Sequence, residues 1–220
     1  IHPYGFIIAG ASILSIDSLP DEKFIKNLHT ILSSSNNKAK ALVLNYPNNP
    51  TTSMATLDFF SEIVDICIKY EVYILSDIAY AEIYFDGIVP PSILEVPKAI
   101  NIAVEFSSLS KTYSMPGWRV GFAVGNNKLI EALTKIKSYL DYGAFTPVQV
   151  AAIAALNGPQ GCVDDIRSVY IKRRNILVEG FSRAGWKMNL PKSTMFVWAA
   201  LPQKFLNFGS LEFSKMLLKY

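Results

Sequence analysis

This 220-residue sequence predicts an α/β fold: a mostly parallel sheet with helices on both faces. Three observations carry that expectation. Short β-rich runs alternate with segments of helical periodicity. The runs are apolar at consecutive positions, as strands buried on both faces are. Half of the residues are hydrophobic and 18% are charged, which is enough apolar material for a sizeable core.

The elements follow in chain order. ALVLN (Ala41–Asn45), VYILSD (Val72–Asp77), NIAVEFS (Asn101–Ser107) and VGFAVG (Val120–Gly125) read as buried strands. Leu57–Tyr70 carries Phe60, Ile63, Val64 and Cys67 at helical spacing. Lys128–Leu140 places Leu129, Leu133, Ile136 and Leu140 on one stripe. Further helices are expected at Pro147–Leu156 and Val163–Arg183, and Ser33–Lys38 reads as a polar loop. GWKMNLPKSTMFVWAALP (Gly185–Pro202) reads as a turn followed by a strand. The expected organisation is therefore a large domain over residues 1–162, a bridging helix over 163–183, and the start of a small α+β domain over 184–220.

Composition excludes several classes of function. A net charge of +3 is small for this length and calls for neither nucleic acid nor an acidic membrane. Cys67 and Cys162 stand far apart and make no disulfide framework, so a reducing, cytoplasmic setting is the simpler reading. No run of 18 apolar residues suggests a membrane span. The opening IHPYGFIIAG has no initiator Met, basic region or cleavage site, so it reads as the interior of a longer protein, not a signal peptide.

Three of the four strands end in polar groups, and ligands of such sheets sit beyond the carboxyl ends of the strands. After ALVLN comes YPNNPTTS, where Asn49 precedes Pro50 and is biased towards extended backbone. Taken alone, this is first a proline turn with solvated amides. After VYILS comes Asp77, then Tyr80. A carboxylate there needs a cationic or donor partner, and capping the next turn is an equal alternative. After NIAVEF come Ser108, Ser110 and Lys111, followed by Arg119 in a Gly-Trp-Arg turn. Hydroxyls with a guanidinium suit a phosphate dianion; an ordinary surface loop is the other reading. Together the segments describe a carboxylate, a phenol, an amide, an amine and a phosphate cradle at one sheet edge. Pyridoxal 5'-phosphate needs that set.

NYPNNPT (Asn45–Thr51), SDIAY (Ser76–Tyr80) and SSLSKTYSMPGWRVGF (Ser107–Phe122), in this order, resemble class I/II aminotransferases, the fold-type-I pyridoxal-phosphate enzymes. The resemblance covers essentially the whole chain. HPYGFIIAGA and DYGAFTPVQVAAIAAL (Asp141–Leu156) look most like the alanine-type and LL-diaminopimelate-type branch.

The resemblance implies residue roles. Lys111 is the Schiff-base lysine and proton carrier, Asp77 the partner of the pyridinium nitrogen, and Tyr80 and Asn49 the ligands of the ring's 3-oxygen. Ser108, Ser110 and Arg119 are the phosphate ligands. It also implies transfer of an amino group between an amino acid and a 2-oxo acid, in a homodimer, with DYGAFTP (Asp141–Pro147) near the partner's site or merely joining two helices. The family's upstream phosphate-binding helix and stacking aromatic are expected before Ile1, and its substrate-carboxylate arginine beyond Tyr220. The chain alone is accordingly expected to bind the cofactor weakly and to lack turnover.

One departure stands out: Thr52 occupies the place after NNPT where the family has glycine. Two rival readings stay open. One is a lyase or related chemistry on the same cofactor. The other is a non-catalytic cofactor-binding regulatory module. His2 and His29 lack metal-spaced partners and read as structural or exposed. Cys67, Trp118 and Trp198 read as packing residues, and Arg167, Lys172, Arg173, Arg174 and Arg183 as a solvated helix face.

Overall fold

The structure, a computed structural model, describes residues 2–34 and 39–219. Positions 35–38 of the expected polar loop lie outside the described residues. The elements run α1 (His2–Ile8), α2 (Glu22–Ser33), β1 (Ala41–Asn45), α3 (Leu57–Lys69), β2 (Tyr73–Asp77), β3 (Ala103–Ser108), α4 (Leu109–Thr112), β4 (Gly121–Gly125), α5 (Asn127–Leu140), α6 (Thr146–Asn157), α7 (Gly161–Arg183) and α8 (Gly209–Leu217).

The sheet is ordered β1-β2-β3-β4. β1, β2 and β3 are parallel, and β4 returns antiparallel to β3. The register pairs Asn45 with Asp77, and Asp77 with Phe106. Three parallel strands therefore end together, and the residues that follow them are delivered to one edge.

The core lies between one sheet face and the helices α2 and α3. Asp21 caps α2 by accepting from Phe24 N, and Thr56 caps α3 by accepting from Phe59 N. Phe24, Leu28 and Leu32 of α2 meet Phe59, Phe60, Ile63, Val64 and Cys67 of α3 over Leu44, Ile74 and Ala103. Burying such side chains contributes roughly 1.5–3 kcal/mol each. Ser92–Glu95 forms a capping box at the start of a 3₁₀ turn whose Ile93 is fully buried under the same core.

Several sequence expectations are corrected. β4 is not a buried strand: Phe122 and Val124 are exposed, because an edge strand has a single neighbour and α5 behind it buries no residue. The apolar stripe of α5 is accordingly only partly covered: Leu129 and Leu133 are half-buried, while Ile136 and Leu140 are exposed. The strand expected within Gly185–Pro202 does not form, because a strand needs a continuous partner and here Ser193 alone bridges Tyr84. Trp118 and Trp198 are exposed, not packed.

The basic face of α7 is also not wholly solvated. Arg174 is buried, pairs with Asp86 through both Nη atoms (2.8 and 3.1 Å), donates to Pro191 O, and stacks on Phe85. Arg167 donates to Glu82 and Asp164 and lies 4.1 Å over the Tyr84 ring. Composition shows the charge, but these side chains bury an apolar stem and a flat guanidinium while satisfying their donors. Lys172, Arg173 and Arg183 remain exposed. The two inward arginines fasten α7 to residues 82–86, just beyond Tyr80.

Candidate active site

The loop after β1 is built by asparagines. Asn48 is buried; its Oδ1 accepts from Thr51 N and Thr51 Oγ1, and its Nδ2 donates to Asn45 O. Asn45 Oδ1 accepts from Asn49 N at 3.0 Å, and Asn45 Nδ2 donates to Asp77 O at 3.1 Å. Asn45 thus couples the Asn49 loop to the end of β2. Thr52 sits at φ 63°, in the left-handed region, as its place in the turn demands.

At the end of β2, Asp77 holds both partners that its position requires. Its Oδ1 accepts from Ala79 N at 3.0 Å, which caps the following turn, and its Oδ2 lies 2.8 Å from His2 Nε2. Capping and an ionisable partner coexist, so the two sequence alternatives were not exclusive. The turn carries Tyr80 into a buried position, where Asn49 Nδ2 donates to its hydroxyl at 3.4 Å. Burial pushes the Tyr80 phenol above its ordinary value; the Asn49 hydrogen bond works against this, and the nearby Asp77 and Tyr170 add to it.

β3 delivers the third group. Ser108 caps α4 by accepting from Ser110 N, and Ser110 is buried. Lys111 follows within α4, its Nζ 5.8 Å from the centre of the Tyr80 ring. The antiparallel pair Ser108–Gly121 and the Leu109 N–Val120 O bond set the Arg119 backbone beside the start of α4. A side chain at Gly121 would run into the Ser107 carbonyl, so only glycine permits this approach. The Arg119 guanidinium is exposed and donates to Pro116 O at 2.9 Å; it makes no described contact with Ser108 or Ser110. The structure therefore brings Asn49, Asp77, Tyr80 and Lys111 to one sheet edge, with Ser108 and Ser110 beside Lys111. It holds Arg119 near by backbone alone.

Two neighbours of the site escaped sequence reasoning. His2 touches Asp77, and Phe196 meets the Tyr80 ring edge-on at 5.5 Å. A lone histidine and a single aromatic carry no spacing signal. Only the fold joins them to their partners.

A family model described as aminotransferase class I and II matches residues 3–220. The chain belongs to this family. It is 49% identical, over 99% of its length, to the glutamate-pyruvate aminotransferase AlaC of Escherichia coli strain K12, covering 53% of that protein. It is 42% identical over its whole length to the LL-diaminopimelate aminotransferase of Moorella thermoacetica, covering 55% of it. Among solved structures, apo-BacF of Bacillus subtilis matches 82% of this chain and 46% of its own at TM-score 0.78 and 37% identity. The chain thus spans about half the length of the curated relatives it matches. Among the described residues, no helix of this aminotransferase-family chain is long and apolar enough to cross a membrane.

Proposed function

We propose that this chain is the cofactor-binding part of a pyridoxal-phosphate-dependent aminotransferase that moves an amino group between an amino acid and a 2-oxo acid. The observation that carries this reading is the convergence of Asp77, the Asn49–Tyr80 pair and Lys111 beyond three parallel strand ends. Family membership supports it, as do relatives named as glutamate-pyruvate and LL-diaminopimelate aminotransferases.

The donor set fits pyridoxal phosphate. A carboxylate held on both oxygens suits a pyridinium N–H, a phenol and an amide suit a ring oxygen, and a primary amine suits an aldehyde. Bound there, the group supplies an electrophilic aldehyde and a cationic ring that accepts the electron pair left by a departing proton.

The chain's own residues do the rest. Asp77, held by Ala79 N and His2, would face the ring nitrogen with its carboxylate group. Tyr80 accepts from Asn49 and so keeps its own O–H free to donate. Lys111 Nζ would hold the cofactor and would carry the proton of the substrate's α-carbon. Ser108, Ser110 and Arg119 would hold the phosphate through two hydroxyls and a guanidinium that here donates to Pro116 O.

The division into residues 1–162, 163–183 and 184–220 belongs to the same proposal; the last part has its own aromatic cluster of Trp186, Phe205 and Phe213. So does a homodimer, supported by the exposed apolar side chains Leu140, Tyr142, Phe145, Val150 and Ile153 around the Asp141–Pro147 loop. Two free cysteines, one of them buried, favour a cytoplasmic setting. The test is Lys111→Ala in the complete enzyme. Turnover should fall by at least about 10²–10⁴-fold, and borohydride should no longer fix the cofactor to the chain. Normal turnover would overturn the reading.

A further inference from the structure

We propose that Ser193 and Phe196 are positioning residues that clasp the Asn49–Tyr80 pair from outside; this rests on the reading of that pair as the ligands of the cofactor's ring oxygen. Residues 192–196 have no regular secondary structure, yet Ser193 and Thr194 are only 0% and 1% exposed. The segment is stitched down along its length. Phe85 N donates to Lys192 O at 2.9 Å, and Thr194 N donates to Ile83 O at 2.7 Å. Ser193 Oγ reaches across to donate to Thr52 O at 2.9 Å.

Thr194 sits at φ 66°, a strained conformation for a β-branched residue that persists only where its surroundings over-determine it. Its Oγ1 accepts from Phe196 N, and the turn so formed brings the Phe196 ring edge-on to Tyr80, at 5.5 Å and 68°. The clasp therefore has two arms. Ser193 holds the loop that carries Asn49, through the Thr52 carbonyl, and Phe196 holds the Tyr80 ring. The Asn49–Tyr80 hydrogen bond between them is 3.4 Å long, beyond the usual range, and too weak to set the alignment alone.

The test uses the holoenzyme loaded with pyridoxal phosphate, and reads the pH midpoint of the bound cofactor's visible absorption. Donors to the ring oxygen favour its ionised form, so a displaced donor raises that midpoint. Phe196→Leu and Ser193→Ala should each raise it by about half a unit to one unit, in the same direction as Tyr80→Phe but less far. Phe196→Tyr, which keeps the ring edge, should restore it. A merely structural role would lower the thermal unfolding temperature and leave the midpoint in place. That result in either folded variant overturns the assignment of that residue, and if one variant fails to fold the other decides. If Tyr80→Phe moves the midpoint and neither variant does, the clasp falls and the site reading stands. If Tyr80→Phe does not move it, both fall.

Discussion

His2 Nε2 lies 2.8 Å from Asp77 Oδ2, across 75 positions of sequence. The contact fixes one carboxylate oxygen while Ala79 N holds the other. Both side chains keep some solvent exposure, 44% and 28%, so the pair contributes at most about 1 kcal/mol. His2→Ala should therefore weaken cofactor affinity by about two- to five-fold in the complete enzyme, measured by equilibrium titration. Asp77→Asn should cost far more, because it removes the charge itself. Equal losses from the two variants would mean that His2 does more than hold Asp77, and no loss from His2→Ala would make the contact incidental.

The local part of this site was legible in the sequence, and the tertiary part was not. Asn49, Asp77, Tyr80 and Lys111 each follow an apolar run by a few residues, and a parallel sheet carries strand ends to one edge. His2 and Phe196 reach the site only through long-range packing, which no local pattern encodes. Helical periodicity placed Ile136 and Leu140 on one stripe of α5, but period says nothing about what covers a stripe, and both are exposed. Arg167 and Arg174 look like surface charge until Tyr84, Phe85 and Asp86 are seen beneath them.

Glu105 is buried on β3 as a carboxylate that accepts from Ser92 Oγ at 2.6 Å and Ile93 N at 2.9 Å. Burial raises its pKa above 4.5, with the hydrogen bonds from Ser92, Ile93 and Ser76 opposing. Between 4.5 and the raised value, the folded chain binds more protons than the unfolded one. Stability contributed by this group is thus full below 4.5 and is lost as pH rises through the folded value. Urea unfolding across that window should show this slope in the wild type and a flatter one in Glu105→Gln. Glu105→Ala should cost about 1–3 kcal/mol, because the Ile93 N–H is left without its acceptor. Parallel slopes in wild type and Glu105→Gln would refute the assignment.

The two cysteines should separate cleanly by reactivity. Cys67 is fully buried in α3, and burial pushes its thiol up to about 12, whereas Cys162 is exposed at the start of α7. Thiolates, not thiols, attack disulfide reagents. Ellman's reagent at mildly alkaline pH should titrate Cys162 alone in the folded chain and both thiols after denaturation. Rapid reaction of Cys67 in the folded chain would show that α3 opens readily from the core.

Thr52 stands at φ 63° where glycine would be at ease. A β-branched residue in this region costs about 1–2 kcal/mol, partly offset because glycine loses more backbone freedom on folding, by about 0.5–1 kcal/mol. What the fold uses at this position is backbone: Thr52 N donates to Asn48 O, and Thr52 O accepts from Ser193 Oγ. Glycine keeps both. Thr52→Gly should therefore stabilise the folded chain by about 0.5–1 kcal/mol, read as a higher midpoint of thermal unfolding. Thr52→Ala should gain less, since alanine still carries a Cβ. Because the Ser193 contact survives, the pH midpoint of the bound cofactor should not change in Thr52→Gly. A loss of stability there would mean that the threonine side chain has a packing role outweighing the strain.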